Sequence, residues 1–176
     1  VSKGHPASSI RQLASIGQCE FGESRLQEAL PKLQDLKDLT DLRWHFIGRL
    51  QSNKVRGVVK SFPVIQSVDS QNLAERISRI SGEEDRCPQI MLQVKFREDP
   101  QKGGFSPVEL KEAWPNMLRL PHLKIIGLMT MAPRQVVLAE RRNIFKECKD
   151  LSKELDLKDC SMGMSNDWVE AVEAGA

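Results

Sequence analysis

Apolar residues along this chain fall into two alternating spacings. Short dense runs read as buried strands, and between them apolar positions recur three or four residues apart, as on one face of a helix. Val1-Ser2 reads as the tail of a first strand. A helix follows Pro6, with Ile10, Leu13 and Ala14 on one face and Gly17 at its end. Residues 19–21 form a second strand. Leu26, Ala29, Leu30 and Leu33 then keep helical spacing, and Pro31 is expected to kink or restart that helix. Residues 43–47 make a third strand and 53–60 a short helix. Residues 64–67 make a fourth strand, followed by a helix that buries Leu73, Ala74, Ile77 and Ile80.

Residues 89–94 are the most strand-like run. After them Ser106-Pro107-Val108-Glu109 has the form of a capping box, with proline at the first helical position. The helix it opens presents Leu110, Ala113, Met117 and Leu118. Residues 123–128 are a sixth strand. Leu138, Phe145, Cys148, Leu151 and Leu155 mark a long amphipathic helix. Residues 160–162 are a seventh strand, and 168–174 begin its helix.

Strand and helix alternate seven times, which implies parallel strands with helical crossovers. Seven units without a nucleotide-type glycine fingerprint suit a barrel better than a doubly wound open sheet. A closed barrel of this kind needs eight strands. The sequence starts inside strand one and stops before strand eight, so the expected fold is a TIM-type (β/α)8 barrel shortened at both ends. At 176 residues it is read as a single domain, residues 1–176.

Composition narrows the function classes. With 26 basic and 24 acidic residues the net charge is +2, which gives no pull toward nucleic acid or an anionic membrane. No apolar run approaches the roughly 20 residues of a membrane span, and the opening residues are not a signal peptide. Cys19, Cys87, Cys148 and Cys160 include no close pair, so reduced thiols in a cytoplasmic protein are expected rather than a disulfide frame or a metal site. There is no tyrosine, so no phenol from this stretch can act as acid or base.

In a parallel barrel, functional groups gather where strands give way to helices. Lys3 stands at the end of the first strand, Gly22-Glu23-Ser24 after the second, and His45 to Gly48 at the close of the third. Met129-Thr130 ends the sixth, and Gly163-Met164-Ser165 ends the seventh. From composition alone, Lys3 is one of many solvated lysines and Ser165 a plain helix cap. His45 reads equally as a buried structural histidine, and Met129 as core filling. Arg134, Arg141 and Arg142 read as a solvated helix face.

Five stretches, in order, resemble the pyridoxal 5′-phosphate (PLP) homeostasis family, also called YggS-like proteins or proline synthetase co-transcribed homologues. They are Val1-Ser2-Lys3, Phe21 to Glu28 (FGESRLQE), Trp44 to Lys54 (WHFIGRLQSNK), Gly127 to Thr130 (GLMT) and Ser161 to Asp167 (SMGMSND). The resemblance implies the type III PLP fold, the barrel of the alanine racemase N-terminal domain. It implies that Lys3 carries PLP as a Schiff base, and that Ser165 binds its phosphate with the adjoining Gly163 and Met164. A free phosphate or sulfate is expected to take the same place. Ser24, His45 and Met129 would lie beside the ring; family members usually carry asparagine where Ser24 stands. An arginine on strand eight and a following Gly-Thr pair, which complete the family's site, lie beyond Ala176. The stretch 133–138 is also shorter than the family's usual loop.

The function so implied is non-catalytic: binding and buffering of PLP, with no catalytic and no metal-ligating residue assigned. An amino-acid racemase on the same barrel is the alternative. It would need a second proton carrier opposite Lys3, a role for which His45 and Cys160 are the nearest substitutes for tyrosine. A third reading is an interaction module with a vestigial site.

Overall fold

Strands joined by helical crossovers must pair in parallel, and here six do so side by side in chain order. The structure is a computed structural model that describes residues 1–99, 102–133 and 135–176. Helix α1 (Ala7–Ala14) leads into β1 (Glu20–Glu23), α2 (Leu26–Asp35) into β2 (Arg43–Phe46), and α3 (Val55–Ser61) into β3 (Val64–Val68). Next come α4 (Gln71–Glu83), β4 (Gln89–Gln93), α5 (Pro107–Met117), β5 (Lys124–Met129), α6 (Leu138–Glu154), β6 (Asp159–Ser161) and α7 (Trp168–Glu173). No helix among the described residues is long and apolar enough to cross a membrane.

The sheet's two faces differ because side chains alternate along each strand. In β2, Trp44 and Phe46 are buried while Arg43 and His45 are only half-buried. Phe46 meets Phe62 edge-on at 5.3 Å between ring centres. With Phe21, Ile65, Ile77, Ile90, Leu92, Leu110 and Leu128 these rings form the core between sheet and helices. The opposite face is concave. Ser161 on β6 donates its hydroxyl to Gln66 Oε1 on β3 at 2.7 Å. Three strand spacings in a flat sheet measure about 14 Å, more than two such side chains can span. The sheet therefore curls into an open half-barrel with β1 and β6 at its edges.

Some expectations are corrected. Val1-Ser2 is not a strand: Ser2 makes a single rung, its N–H to Gly22 O at 2.9 Å, before the chain turns at Gly4 with φ +77°. Two residues are too few for a ladder. The six parallel strands form an open half-barrel rather than a closed eight-stranded one, in line with the shortened barrel expected. Helix α2 runs through Pro31, where Pro31 and Gln27 are both exposed and water can meet the carbonyl left without a partner. Leu13, Leu30, Leu118 and Leu138 are 45% to 63% exposed. Three of them lie at helix ends, where the apolar stripe outruns the sheet, and Leu30 sits on the flank beside buried Ala29. The capping box forms in full, Ser106 Oγ accepting from Glu109 N at 3.2 Å and Glu109 Oε2 from Ser106 N at 2.7 Å.

Helix α1 is tied to the end of α2 by Arg11, which donates to Asp38 at 2.5 and 2.8 Å and to the Asp35 carbonyl at 3.0 Å. The Arg11 hydrogen bonds pull the Asp38 carboxyl down to about 2. A carboxyl lowered on folding adds stability above its unfolded value and loses it as pH falls through the folded one. Asp38→Asn should therefore flatten the loss of stability between pH 4 and pH 2 seen in denaturant titrations. The effect should be modest and weakened by salt, because the pair is exposed. Parallel stability curves for the two proteins across that range would contradict this.

Candidate functional site

The C-terminal ends of the strands form one rim, and most of the candidate residues lie along it. Lys3 follows the Ser2 rung directly. It is exposed, and its Nζ makes no hydrogen bond or ion pair among the described residues. Ser2 itself is buried and held on every side: its hydroxyl donates to Glu23 Oε1 at 2.8 Å, and its carbonyl accepts from Lys32 Nζ at 3.0 Å. Neighbouring ends are drawn together by close backbone approach. A Cβ on Gly48 would fall 1.9 Å from the Ser24 carbonyl oxygen, so only glycine lets the ends of β1 and β2 meet here. Ser24 is half-buried at that junction.

At the other edge of the arc, Met129 is buried and pairs with Gln93 on one side and Ser161 on the other. Beyond β6 the chain turns at Gly163, whose φ is +89° and whose added Cβ would lie 2.7 Å from the Ala171 Cβ. Met164 N donates to Asp167 Oδ1 at 2.6 Å, and Asp167 N returns to Met164 O at 3.0 Å. Ser165 and Asn166 form the exposed tip of this turn. Ser165 thus lies ahead of the helix and does not cap it, since Asp167 occupies the N-cap of α7. The Met164 amide, already bound to Asp167, is not free for an anion, while the tip carries the Ser165 hydroxyl. Met164 is 44% exposed. Of the three arginines read as a solvated face, Arg134 lies outside the described residues and Arg142 faces Glu173 at 3.6 Å. Arg141 is instead half-buried, 4.0 Å from Asp167.

His45 is engaged on both ring nitrogens. Ser161 donates to Gln66 Oε1, the Gln66 amide donates to His45 Nδ1 at 2.8 Å, and His45 Nε2–H then donates to Glu20 Oε2. Four side chains so run across the concave face from β6 to β1. This geometry gives His45 a structural role within the half-barrel. Sequence reasoning missed Glu20, Gln66 and Ser161, as well as the Asp167 that shapes the turn. The usable signals were a polar side chain within the apolar β3 for Gln66, and the SMGMSND stretch itself for Ser161 and Asp167.

A family profile described as "Alanine racemase, N-terminal domain" matches residues 1–174. The Pyridoxal phosphate homeostasis protein of Synechocystis sp. is 43% identical, covering 100% of this chain and 84% of that protein. The protein of the same name from Aquifex aeolicus is 39% identical, over 99% and 79%. The chain belongs to the pyridoxal phosphate homeostasis protein family. Solved structures of PipY from Synechococcus elongatus PCC7942 are similar throughout. The form without PLP gives a TM-score of 0.97 at 46% identity, over 99% of this chain and 85% of that one. The form with PLP bound gives 0.94 at 44%, over 99% and 84%. Alanine racemase of Clostridium difficile 630 shares the fold, with a TM-score of 0.71 at 13% identity over 92% of this chain and 43% of that one.

In this family member the rim depends on glycines no other residue replaces without strain. Gly163→Ala should destabilise the protein by more than about 1 kcal/mol, because alanine meets both an unfavourable φ and a packed neighbour. Gly4→Ala, with φ +77° and nothing within 4 Å of the added Cβ, should cost less. Unfolding midpoints of the two variants in reverse order would refute this reading of the turn.

Proposed function

We propose that this chain binds pyridoxal 5′-phosphate, attached covalently through Lys3 and held by its phosphate at the Ser165 turn, and serves PLP homeostasis without turnover. The observation that carries the reading is the Lys3 amine, unengaged on the rim while the residue before it is fixed on every side. PipY, similar to this chain over nearly its whole length, has been solved with PLP bound. The cofactor supplies an aldehyde carbon that a neutral lysine amine can attack. The chain supplies the amine, the Ser165 hydroxyl for a phosphate oxygen, and the buried Met129 side chain at the floor of the rim.

Two features favour a binder over a racemase. Proton transfer on both faces of the ring needs a free acid–base group opposite Lys3. His45, one nominal substitute for tyrosine, already spends both nitrogens inside the protein. Cys160, the other, packs toward the helices, where its thiol donates to Ser152 Oγ at 3.3 Å.

Borohydride fixation of the PLP-loaded chain followed by peptide mass analysis tests the attachment. One adduct on the Lys3 peptide is expected, absent from Lys3→Ala; equal yield on another lysine would overturn it. Sustained amino-acid turnover above that of free PLP, lost in Lys3→Ala, would establish the racemase instead. Ser165→Ala should weaken PLP binding by about 1 kcal/mol, roughly fivefold, in equilibrium dialysis. Unchanged affinity would remove Ser165 from the site.

A further inference from the structure

Between β1 and α2 lies a buried ion pair outside the rim. Glu23 is fully buried, on the helix-facing side of β1 with Phe21, and Lys32 of α2 reaches its Oε1 at 2.9 Å with 13% of its side chain exposed. Both partners also bind Ser2. Lys32 Nζ donates to the Ser2 carbonyl at 3.0 Å, and the Ser2 hydroxyl donates to Glu23 Oε1 at 2.8 Å and reaches Gly22 O at 3.3 Å. With the Ser2 N–H on Gly22 O, every polar group of Ser2 is held. The other carboxylate oxygen, Glu23 Oε2, is buried with no hydrogen-bond partner among the described residues.

A pair of this kind is poorly explained as a device for stability. Desolvating two charges offsets most of their attraction, and apolar side chains of similar volume often do as well. The unpartnered Oε2 adds a further cost. What the arrangement achieves is geometric. The Val1–Lys3 segment has one ladder rung, too little to set the direction of its backbone. The ion pair adds two hydrogen bonds to Ser2, one from each of two separate elements, β1 and α2. It thereby sets the position from which the next side chain, Lys3, leaves the backbone.

We propose that Glu23 and Lys32 are positioning residues for Lys3, a clamp that aims its amine over the rim before any ligand arrives. The proposal rests on Lys3 being the attachment residue. A preorganised nucleophile reacts faster because the cost of orienting it has already been met in folding. The clamp should therefore govern how fast and how tightly PLP is captured through Lys3, and leave binding that bypasses Lys3 untouched.

The test is a cycle in the full chain. Glu23→Leu with Lys32→Met removes the clamp while keeping apolar volume. It should slow adduct formation, followed by timed borohydride trapping, and weaken PLP in equilibrium dialysis, each by about tenfold. In the Lys3→Ala background the same pair of substitutions should leave the residual PLP affinity within about twofold. An equal loss in both backgrounds would mean that the pair merely supports the fold, and no loss in either would mean that it does nothing for Lys3. Both outcomes overturn the proposal. If Lys3→Ala alone leaves the adduct intact, the attachment reading fails first, and that is seen before either clamp residue is altered. Should the double variant not fold, Ser2→Ala removes only the hydroxyl tether. It should then give a smaller loss, about threefold, with the same dependence on Lys3.

Discussion

Curling of the parallel sheet is the constraint from which the other features follow. A parallel sheet covered by helices on one face must leave its other face against something else, and bending inward lets that face cover itself. The hydrogen bond from Ser161 to Gln66, across three strand spacings, exists only in a curled sheet. It continues through His45 to Glu20, so the last strand and the first are joined across the hollow. Polar side chains on this face find partners in one another, and the penalty for unpaired buried polar groups is avoided.

Curvature also makes the rim. Strands that all run the same way deliver their C-terminal ends to one side, and bending brings those ends round a common centre. Close packing then needs backbones without side chains, which is why Gly48 lies against Ser24 and Gly163 against Ala171. The rim is therefore rigid where backbones meet, and its reactive groups stand out from fixed ground. Lys3 is the clearest case: an exposed side chain, unengaged among the described residues, on a residue whose predecessor has every polar group taken. Membership of the pyridoxal phosphate homeostasis family gives that arrangement its chemical meaning. A binder of a reactive aldehyde needs an amine in the right place and few other acid–base groups free nearby. In the proposed reading that amine is Lys3, while His45 is tied into the hollow and Cys160 is turned toward the helices.

Features that depend on a few neighbouring residues were legible in the sequence. The alternation of strands and helices, the capping box at Ser106 and the buried stripe of α4 each rest on spacings of four residues or fewer, so local pattern determines them. The five family stretches, read together, pointed to the family to which the chain belongs. Folding alone decided the rest, because it brings together residues that are distant along the chain. Gln66 and Ser161 are 95 positions apart. Glu23 and Lys32 look like two solvated charges until α2 lies across β1 and closes over them. Leu13 carries the right spacing for a core, yet the sheet does not extend far enough to cover it, and Leu30 falls on the flank of α2. Local spacing dictates which face of an element is apolar. What that face meets, and whether a charge ends in water or against its opposite, is set by packing between elements, which no local pattern encodes.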